Sequence, residues 1–382
     1  MIADALMLVL LAGAAFGCLF MLLSAALAPG FARRAQAAPR SQRAVTVLKP
    51  LHGDEPGLYE NLETLCRQDH AGPVQIVFGV ASPDDPAVGV VERLRRAYPA
   101  SDIELVIDAR VAGSNPKVAN LINMSGRMAH DVVVIADSDI RVTPDYLSQV
   151  VAGLERLGGA VTCPYVGIAG GGAWSQLSRL AIDGHFLPGV IVGVRFNLSR
   201  PCFGSTIALS RTSLDAIGGF AAIADCLADD YALGEAVARR GEPVSVLAYA
   251  VGHVCNESSF AELWRHELRW ATTIRSIDPW GYLGSGVTHA LPLALIAWGL
   301  GGGLSAALLA VAALACRAAL LTTIGRLYRV PPHSYWLLPL RDLLSFAVFV
   351  AGFFVRDLSW KGRRYRLLSE GTLMSERRSP SP

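Results

Sequence analysis

From Ala5 to Ala28 the chain carries no charged residue, and 24 such residues in a row admit few fates. A bilayer core needs roughly 20 helical residues, so this run reads as a membrane-crossing helix. It opens beside Asp4 and ends at Pro29, ahead of Arg33, Arg34, Arg40 and Arg43. A cleavable secretion signal has the opposite polarity of charge, so residues 1–30 are expected to be an anchor. The basic flank places the body of the chain beyond it in the cytoplasm and the N-terminus outside. A second uncharged run, Pro279 to Ala315, spans 37 residues, and Ala318–Gly325 continues it past Arg317. It predicts at least one crossing, with a hairpin turning near Gly301–Gly303. The last apolar run, Leu343–Val355, has 13 residues and approaches crossing length only through Arg341 and Asp342. Two to three C-terminal helices, transmembrane or re-entrant, are therefore expected over 279–356. A basic cytoplasmic tail (Lys361, Arg363, Arg364, Arg366, Arg377, Arg378) completes the chain over 357–382.

Composition supports an integral, multi-pass membrane protein. Of 382 residues 52% are hydrophobic and 17% charged, and the mean hydropathy is +0.39, against about 25% charged in a soluble domain. A net charge of +2 is no polycation built for nucleic acid, so no nucleic-acid partner is expected. The seven cysteines are scattered and contain no Cys-x-x-Cys pair, which fits a reducing compartment and neither a zinc nor a disulfide framework.

Residues 44–257 are different. Val45–Leu48, Val74–Val80, Ile103–Ile107 and Val132–Ala136 are β-branched runs of strand length. Helical stretches separate or follow them at Leu58–Cys66, Ala87–Tyr98, Lys117–Met128 and Tyr146–Leu157. This alternation predicts an α/β domain with a mostly parallel sheet covered on both faces, whose ligands bind beyond the carboxyl ends of the strands.

Four polar clusters sit where such chemistry would occur. Asp137-Ser138-Asp139 comes directly after a strand; its carboxylates suit a hard divalent cation, or serve as a turn or helix cap. Asp84-Asp85-Pro86 comes after another strand and could receive a nucleobase or ribose, or start a helix at the proline. Asp229-Asp230-Tyr231 opens a helix, either complementing its dipole or supplying a general base. The fourth is His266-Glu267-Leu268-Arg269-Trp270. It lies on an expected interfacial amphipathic helix, 258–278, opened by the capping box Ser259-x-x-Glu262. Phe260, Leu263, Trp264 and Ala271 or Ile274 would form its apolar face. There Arg269 could clamp phosphate, or snorkel at a membrane surface. Between these clusters, Trp174–Arg200 interleaves apolar residues with Arg179, Asp183, His185 and Arg195. It reads as an acceptor-side wall or as ordinary core, and His185 as an acceptor contact or a structural histidine.

The order of these motifs resembles the GT-A glycosyltransferases of the family 2 type, and more closely the ceramide glucosyltransferase family with its bacterial hopanoid-associated relatives. The matching stretches are Val45-Thr-Val-Leu-Lys-Pro-Leu-His-Gly53, Asn61-Leu-Glu-Thr64, Asp84-Asp-Pro-Ala87, Asn115-Pro-Lys117, Asp137-Ser-Asp-Ile-Arg-Val142, Pro164-Tyr-Val166, Asp229-Asp-Tyr231 and Arg269-Trp270. They cover roughly residues 1–280.

The resemblance implies a GT-A, Rossmann-like domain and donor-side roles for Lys49, Asp85, Lys117 and Asp137. It implies that Asp137 and Asp139 hold a divalent cation, Mn or Mg, with the donor diphosphate. Asp230 becomes the general base, and His266, Arg269 and Trp270 the phosphate or acceptor side. His266 departs from the family's Gln or Arg at that position. The implied reaction moves a hexose (glucose or N-acetylglucosamine) with inversion from a UDP-sugar to a lipid hydroxyl, ceramide or a hopanoid polyol. The expected location is a bacterial inner membrane. Rival readings are a processive polysaccharide synthase and a non-catalytic, nucleotide-sensing membrane protein.

Overall fold

The computed structural model describes residues 2–33, 41–198 and 201–355, with the backbone of three short strands between 357 and 375. Arg34, Arg40, Lys361, Arg377 and Arg378 lie outside the described residues, as do the side chains of Arg33, Arg363, Arg364 and Arg366. Contacts divide the chain into two units. One is built from Met1–Ala32, Gly167–Leu198 and Glu257–Gly371, the other from Arg33–Val166, Ser199–Asn256 and Thr372–Pro382. The expected catalytic domain is thus discontinuous, with 167–198 belonging to the other unit.

The second of these units is the α/β body. Its sheet has the order β3-β2-β1-β4-β8-β6-β9. The strands are β1 (Val45–Pro50), β2 (Val74–Val80), β3 (Asp102–Ile107), β4 (Val132–Ile135), β6 (Ala160–Thr162), β8 (Ile207–Ser210) and β9 (Val244–Val246). The first four run parallel, as expected from the strand–helix alternation. β8 enters antiparallel to β4 and β6.

Side chains alternate across this sheet with the period of two that a strand imposes. Val132 and Val134 face one core, Val133 and Ile135 the other. The first core takes Leu58, Leu62 and Leu65 of α2 (Leu58–Cys66), Val90 and Leu94 of α3 (Pro86–Ala97), and the buried face of α5 (Tyr146–Leu157). The second takes Val118, Leu121 and Met124 of α4 (Pro116–Ser125), Leu214 of α8 (Arg211–Ala216), and Leu233 and Val237 of α9 (Asp229–Arg239). Each such side chain contributes about 1.5–3 kcal/mol by leaving water. α2 and α5 occupy the residues expected; α3 and α4 each start one residue early, because proline takes the first helical position. α4 also stops at Ser125, before Gly126.

A short second ladder pairs β5 (Ile140–Arg141) with β10 (Val251–Cys255), setting His253 opposite Ile140. The strand β7 (Tyr165–Ala169) carries the chain out of this unit after Val166.

The other unit is helical: α1 (Ile2–Arg33), α6 (Gly172–Ala181), a π turn (Ile182–Phe186), α7 (Leu187–Phe196), α10 (Phe260–Ile277), α11 (Pro279–Ser285), α12 (Ala290–Ala297), α13 (Gly303–Leu327) and α14 (Leu338–Ala351). Strands β11 (Asp357–Trp360) and β12 (Arg363–Leu367) pair antiparallel where a tail was expected, and β13 (Leu373–Ser375) comes next, in the other unit. Among the described residues three stretches are long and apolar enough to cross a membrane: Ala3–Ala32, Gly172–Phe196 and Ala290–Leu327. α1 turns Leu8, Val9, Phe16 and Leu19 outward, each more than half exposed, a surface suited to lipid rather than water. The expected turn at Gly301–Gly303 is present: Gly301 (φ 97) and Gly303 (φ 54) adopt conformations that favour glycine, and α12 packs along α13.

These helices correct three expectations from sequence. The stretch Gly172–Phe196 has crossing length and composition; its charges had hidden this, yet Arg179 and Asp183 are buried 3.5 Å apart and His333 Nε2 lies 2.7 Å from Asp183. Paired charges lose less on burial than lone ones. On α10 the buried residues are Leu263, Glu267, Ala271 and Thr272, whereas Phe260 and Ile274 are about half exposed. Glu267 is buried because Arg341 binds both its carboxylate oxygens at 2.5 and 2.7 Å. The capping box is half formed: Ser259 Oγ accepts from the Glu262 amide, but the Glu262 carboxylate takes the amide and hydroxyl of Ser258.

Candidate active site

Parallel strands deliver their carboxyl ends to one edge of the sheet. Because β8 is antiparallel, the residues before its start reach the same edge. Gly53 after β1, Asp85 after β2, Asp137–Asp139 after β4 and Gly204 before β8 meet there, joined by Lys117 from the first turn of α4 and by Asp229 and Asp230 from that of α9.

Lys117 is the hub. Its Nζ lies 2.7 Å from Asp137 Oδ1 and 2.8 Å from Asp229 Oδ2. Burial alone would lower its pKa, but Asp137, Asp229 and Asp230 outweigh this and hold it above the usual lysine range. The lysine is placed by Asn115, whose Oδ1 caps α4 through the amides of Lys117 and Val118 and whose Nδ2 donates to the Cys226 carbonyl.

Asp230 is held by backbone. The Gly204 amide donates to its Oδ2 at 2.8 Å and its own neighbour, the Tyr231 amide, to Oδ1 at 2.8 Å. Burial first, then the Asp229 charge, push its pKa up to about 6, against the pull of Lys117 and the two amides. It is therefore mostly ionised at neutral pH yet close enough to 7 to accept a proton. Gly204 has no room for a side chain. A Cβ there would lie 2.7 Å from Asp137 Oδ2, 3.2 Å from Lys117 Nζ and 3.5 Å from Asp230 Oδ2.

Asp85 caps α3 through the Ala87 amide, and both its oxygens accept from the Gly53 amide at 3.0 and 3.1 Å. It thus fastens the β1 loop to the β2 loop. Lys49 is fully buried beneath the Asp-x-Asp turn and donates to the Ile140 carbonyl at 3.3 Å. Burial lowers its pKa to about 8, opposed by Asp139, Asp137 and Glu55. Glu55 in turn accepts from Ser138 Oγ at 2.7 Å, steadying that turn.

Asp139 has Oδ2 3.6 Å from His253 Nδ1, while its Oδ1 is buried with no hydrogen-bond partner. An orphaned carboxylate oxygen is what a hard cation would satisfy. Among the described residues no three His, Cys, Asp or Glu side chains gather as a cage. The two carboxylates of the Asp-x-Asp turn are oxygen donors of the kind a hard cation takes. All seven cysteines are free.

The remaining expected residues belong to the helical unit. His266 Nδ1 lies 2.6 Å from Glu257 Oε1, and its ring meets Trp270 edge-on at 4.2 Å. Burial would raise the pKa of Glu257, but its hydrogen bond and charge contact with His266 lower it. Arg269 stands on the same helix, and His185 is bound to Asp342 at 3.2 Å. The sequence reading missed Asp229, Glu55, His253 and Gly204 as parts of the carboxylate cluster. Asp229 was visible as half of a pair, whereas nothing local marks Gly204.

The family model for glycosyl transferase family 21 matches residues 7–373. The chain belongs to glycosyl transferase family 21. This agrees with the GT-A architecture expected from the motif order and seen in the sheet. The family 21 chain is 27% identical over 208 residues to ceramide glucosyltransferase 1 of Caenorhabditis elegans, covering 52% of this chain and 42% of that one. It is 32% identical over 134 residues to the ceramide glucosyltransferase of Komagataella phaffii, covering 32% and 25%. It thus spans less than half the length of these curated relatives. A mannosyltransferase from Pyrobaculum calidifontis, solved with GDP-Man and Mn2+, resembles it with a TM-score of 0.49 at 21% identity, over 90% of this chain and 99% of that one.

Proposed function

We propose that this family 21 chain transfers a hexose, glucose or N-acetylglucosamine, from a UDP-sugar to the hydroxyl of a membrane lipid, ceramide or a hopanoid polyol, with inversion at the anomeric carbon. The observation that carries the reading is Asp230, a partly buried carboxylate fixed by two backbone amides beside the Lys117 cluster. In this reading Asp230 accepts the acceptor's proton as the lipid oxygen attacks the face opposite the leaving diphosphate. Asp85 and the Gly53 loop form the nucleoside side, and Lys117, permanently charged, attracts phosphate while bridging Asp137 and Asp229 and offsetting their mutual repulsion. A divalent cation, when bound, would offset charge developing on the diphosphate, held by Asp139 and Asp137. The catalytic body faces the cytoplasm, where its nucleotide-sugar donor is made, in a bacterial inner membrane.

The test is to incubate the full chain in bilayers with UDP-glucose or UDP-N-acetylglucosamine and with ceramide or a hopane polyol. The expected result is a lipid product heavier by one hexose unit, seen by mass. Hydrolysis without lipid product, or growth of a polymer, would overturn the reading.

A further inference from the structure

The helical unit buries several charged groups, and they differ in how well they are satisfied. Arg341 and Glu267 answer each other through two hydrogen bonds, and Asp183 accepts from the Gly167 amide as well as from His333. A neighbouring group is different. Asp342 Oδ1 has His185 Nε2 and Arg317 Nε, each at 3.2 Å, and Arg317 Nη1 donates to the Gly184 carbonyl. Yet Asp342 Oδ2, Arg317 Nη2 and His289 Nδ1 are buried with no hydrogen-bond partner, and Arg317 Nε, though paired in charge with Asp342, makes no hydrogen bond either.

The three residues are 1%, 3% and 7% exposed, and they come from α14, α13 and the residue capping α12. His289 lies among rings, tilted against His185 at 5.7 Å and Phe349 at 5.0 Å and edge-on to Phe346 at 5.6 Å. His185 and Gly184 lie in the π turn Ile182–Phe186, a distortion that recurs where helices serve a ligand. An orphaned buried polar atom destabilises a fold, and bilayer hydrocarbon offers no water to relieve it. Four such atoms from three elements are a cost that apolar residues would have avoided.

We propose that His289, Arg317 and Asp342 receive the head of a neutral membrane lipid bearing hydroxyl or amide groups. Asp342 Oδ2 needs a donor and Arg317 Nη2 an acceptor, and a hydroxyl or an amide presents both. Arg317 and Asp342 cancel in charge, and Arg341 is committed to Glu267, so no spare positive charge invites a phosphate. The inference rests on the lipid-acceptor reading for the choice of lipid, not for the existence of the site.

The test uses the purified full chain in detergent, with short-chain ceramide, diacylglycerol and phosphatidylglycerol as probes. Lipid retention in native mass spectra and the lipid-induced rise in unfolding temperature are the readouts. Ceramide, and diacylglycerol in so far as its hydroxyl suffices, should bind and stabilise; phosphatidylglycerol should not. Asp342→Asn and His289→Phe should each weaken the response by about tenfold or more. His289→Phe keeps the ring packing on Phe346 and Phe349, so it decides the matter even if Asp342→Asn fails to fold. Unchanged lipid binding in a monodisperse His289→Phe protein, an equal response to phosphatidylglycerol, or no lipid response in the parent would each overturn the site. Transfer is not read in this assay. Intact transfer without a lipid response sinks the site alone, and a lipid response without transfer sinks the reaction alone.

Discussion

The Gly204 amide donates to Asp230 Oδ2 at 2.8 Å, and the side chain that Gly204 lacks would strike Asp137 Oδ2 at 2.7 Å. One backbone position therefore holds the proposed base and leaves space for the first carboxylate of the Asp-x-Asp turn. Gly204→Ala should lower kcat by at least about tenfold while shifting the unfolding temperature by only a few degrees. The φ of Gly204 is ordinary for any residue, so the loss would come from crowding and not from backbone strain. Parent-like turnover in the alanine variant would show that the carboxylates can move aside freely.

Asp230→Asn should reduce transfer by about 10²–10⁴ and leave UDP affinity within a few-fold. Asparagine keeps the shape but offers one acceptor oxygen to the two amides and cannot take a proton. Calorimetric binding of UDP beside single-turnover transfer separates the two effects.

The pH dependence has a definite sign. The pKa of Asp230 is raised to about 6, and a base works only when ionised. The rate constant kcat/KM should therefore fall as pH drops through about 6 and level off above it, and Asp230→Asn should flatten that limb. An acid limb that survives in the variant would assign the titration to another group.

Asp139→Ala should abolish the strengthening of UDP binding by Mn²⁺, because the variant loses the oxygen that has no other partner. Asp85→Ala should retain that strengthening while destabilising the fold, since it releases the Gly53 and Ala87 amides. Titrations of UDP with and without Mn²⁺, alongside melting curves, check both. Equal metal enhancement in the two variants would place the cation elsewhere.

In the helical unit, Arg341→Leu should destabilise by about 3–5 kcal/mol because Glu267 would be left buried and uncompensated. The double variant Arg341→Leu with Glu267→Leu should recover much of the loss. Denaturation of the three proteins in one detergent measures the coupling.

Much of this arrangement was legible from local patterns. The β-branched runs gave β1 to β4, and the aspartates at their ends marked the edge where the carboxylates converge. The uncharged runs gave α1 and the hairpin at Gly301–Gly303. What stayed hidden depended on partners distant in sequence. Glu267 reads as a solvent-facing residue until Arg341, 74 positions later, is set against it. Asp183 breaks the hydrophobicity of Gly172–Phe196 until His333 supplies its partner from 150 residues away. Gly204 carries no signal of its own, because its need for space arises from side chains on the turn after β4, on α4 and on α9 assembled around it.

The interruption of the α/β body by residues 167–198 bears on how the chain is made. β4 finds its neighbour β8 only after the ribosome has passed that apolar segment. Until then half the sheet has an open edge, and Asp137 waits for Gly204, Asp229 and Asp230. Completion of the carboxylate cluster is thereby ordered behind synthesis of a helix of crossing length. A shortened gene ending at residue 256 would still encode that helix, without the elements at 257–355 that share its unit. A water-soluble version of the α/β body would need the segment excised and the flanking strands rejoined, in addition to trimming the two ends.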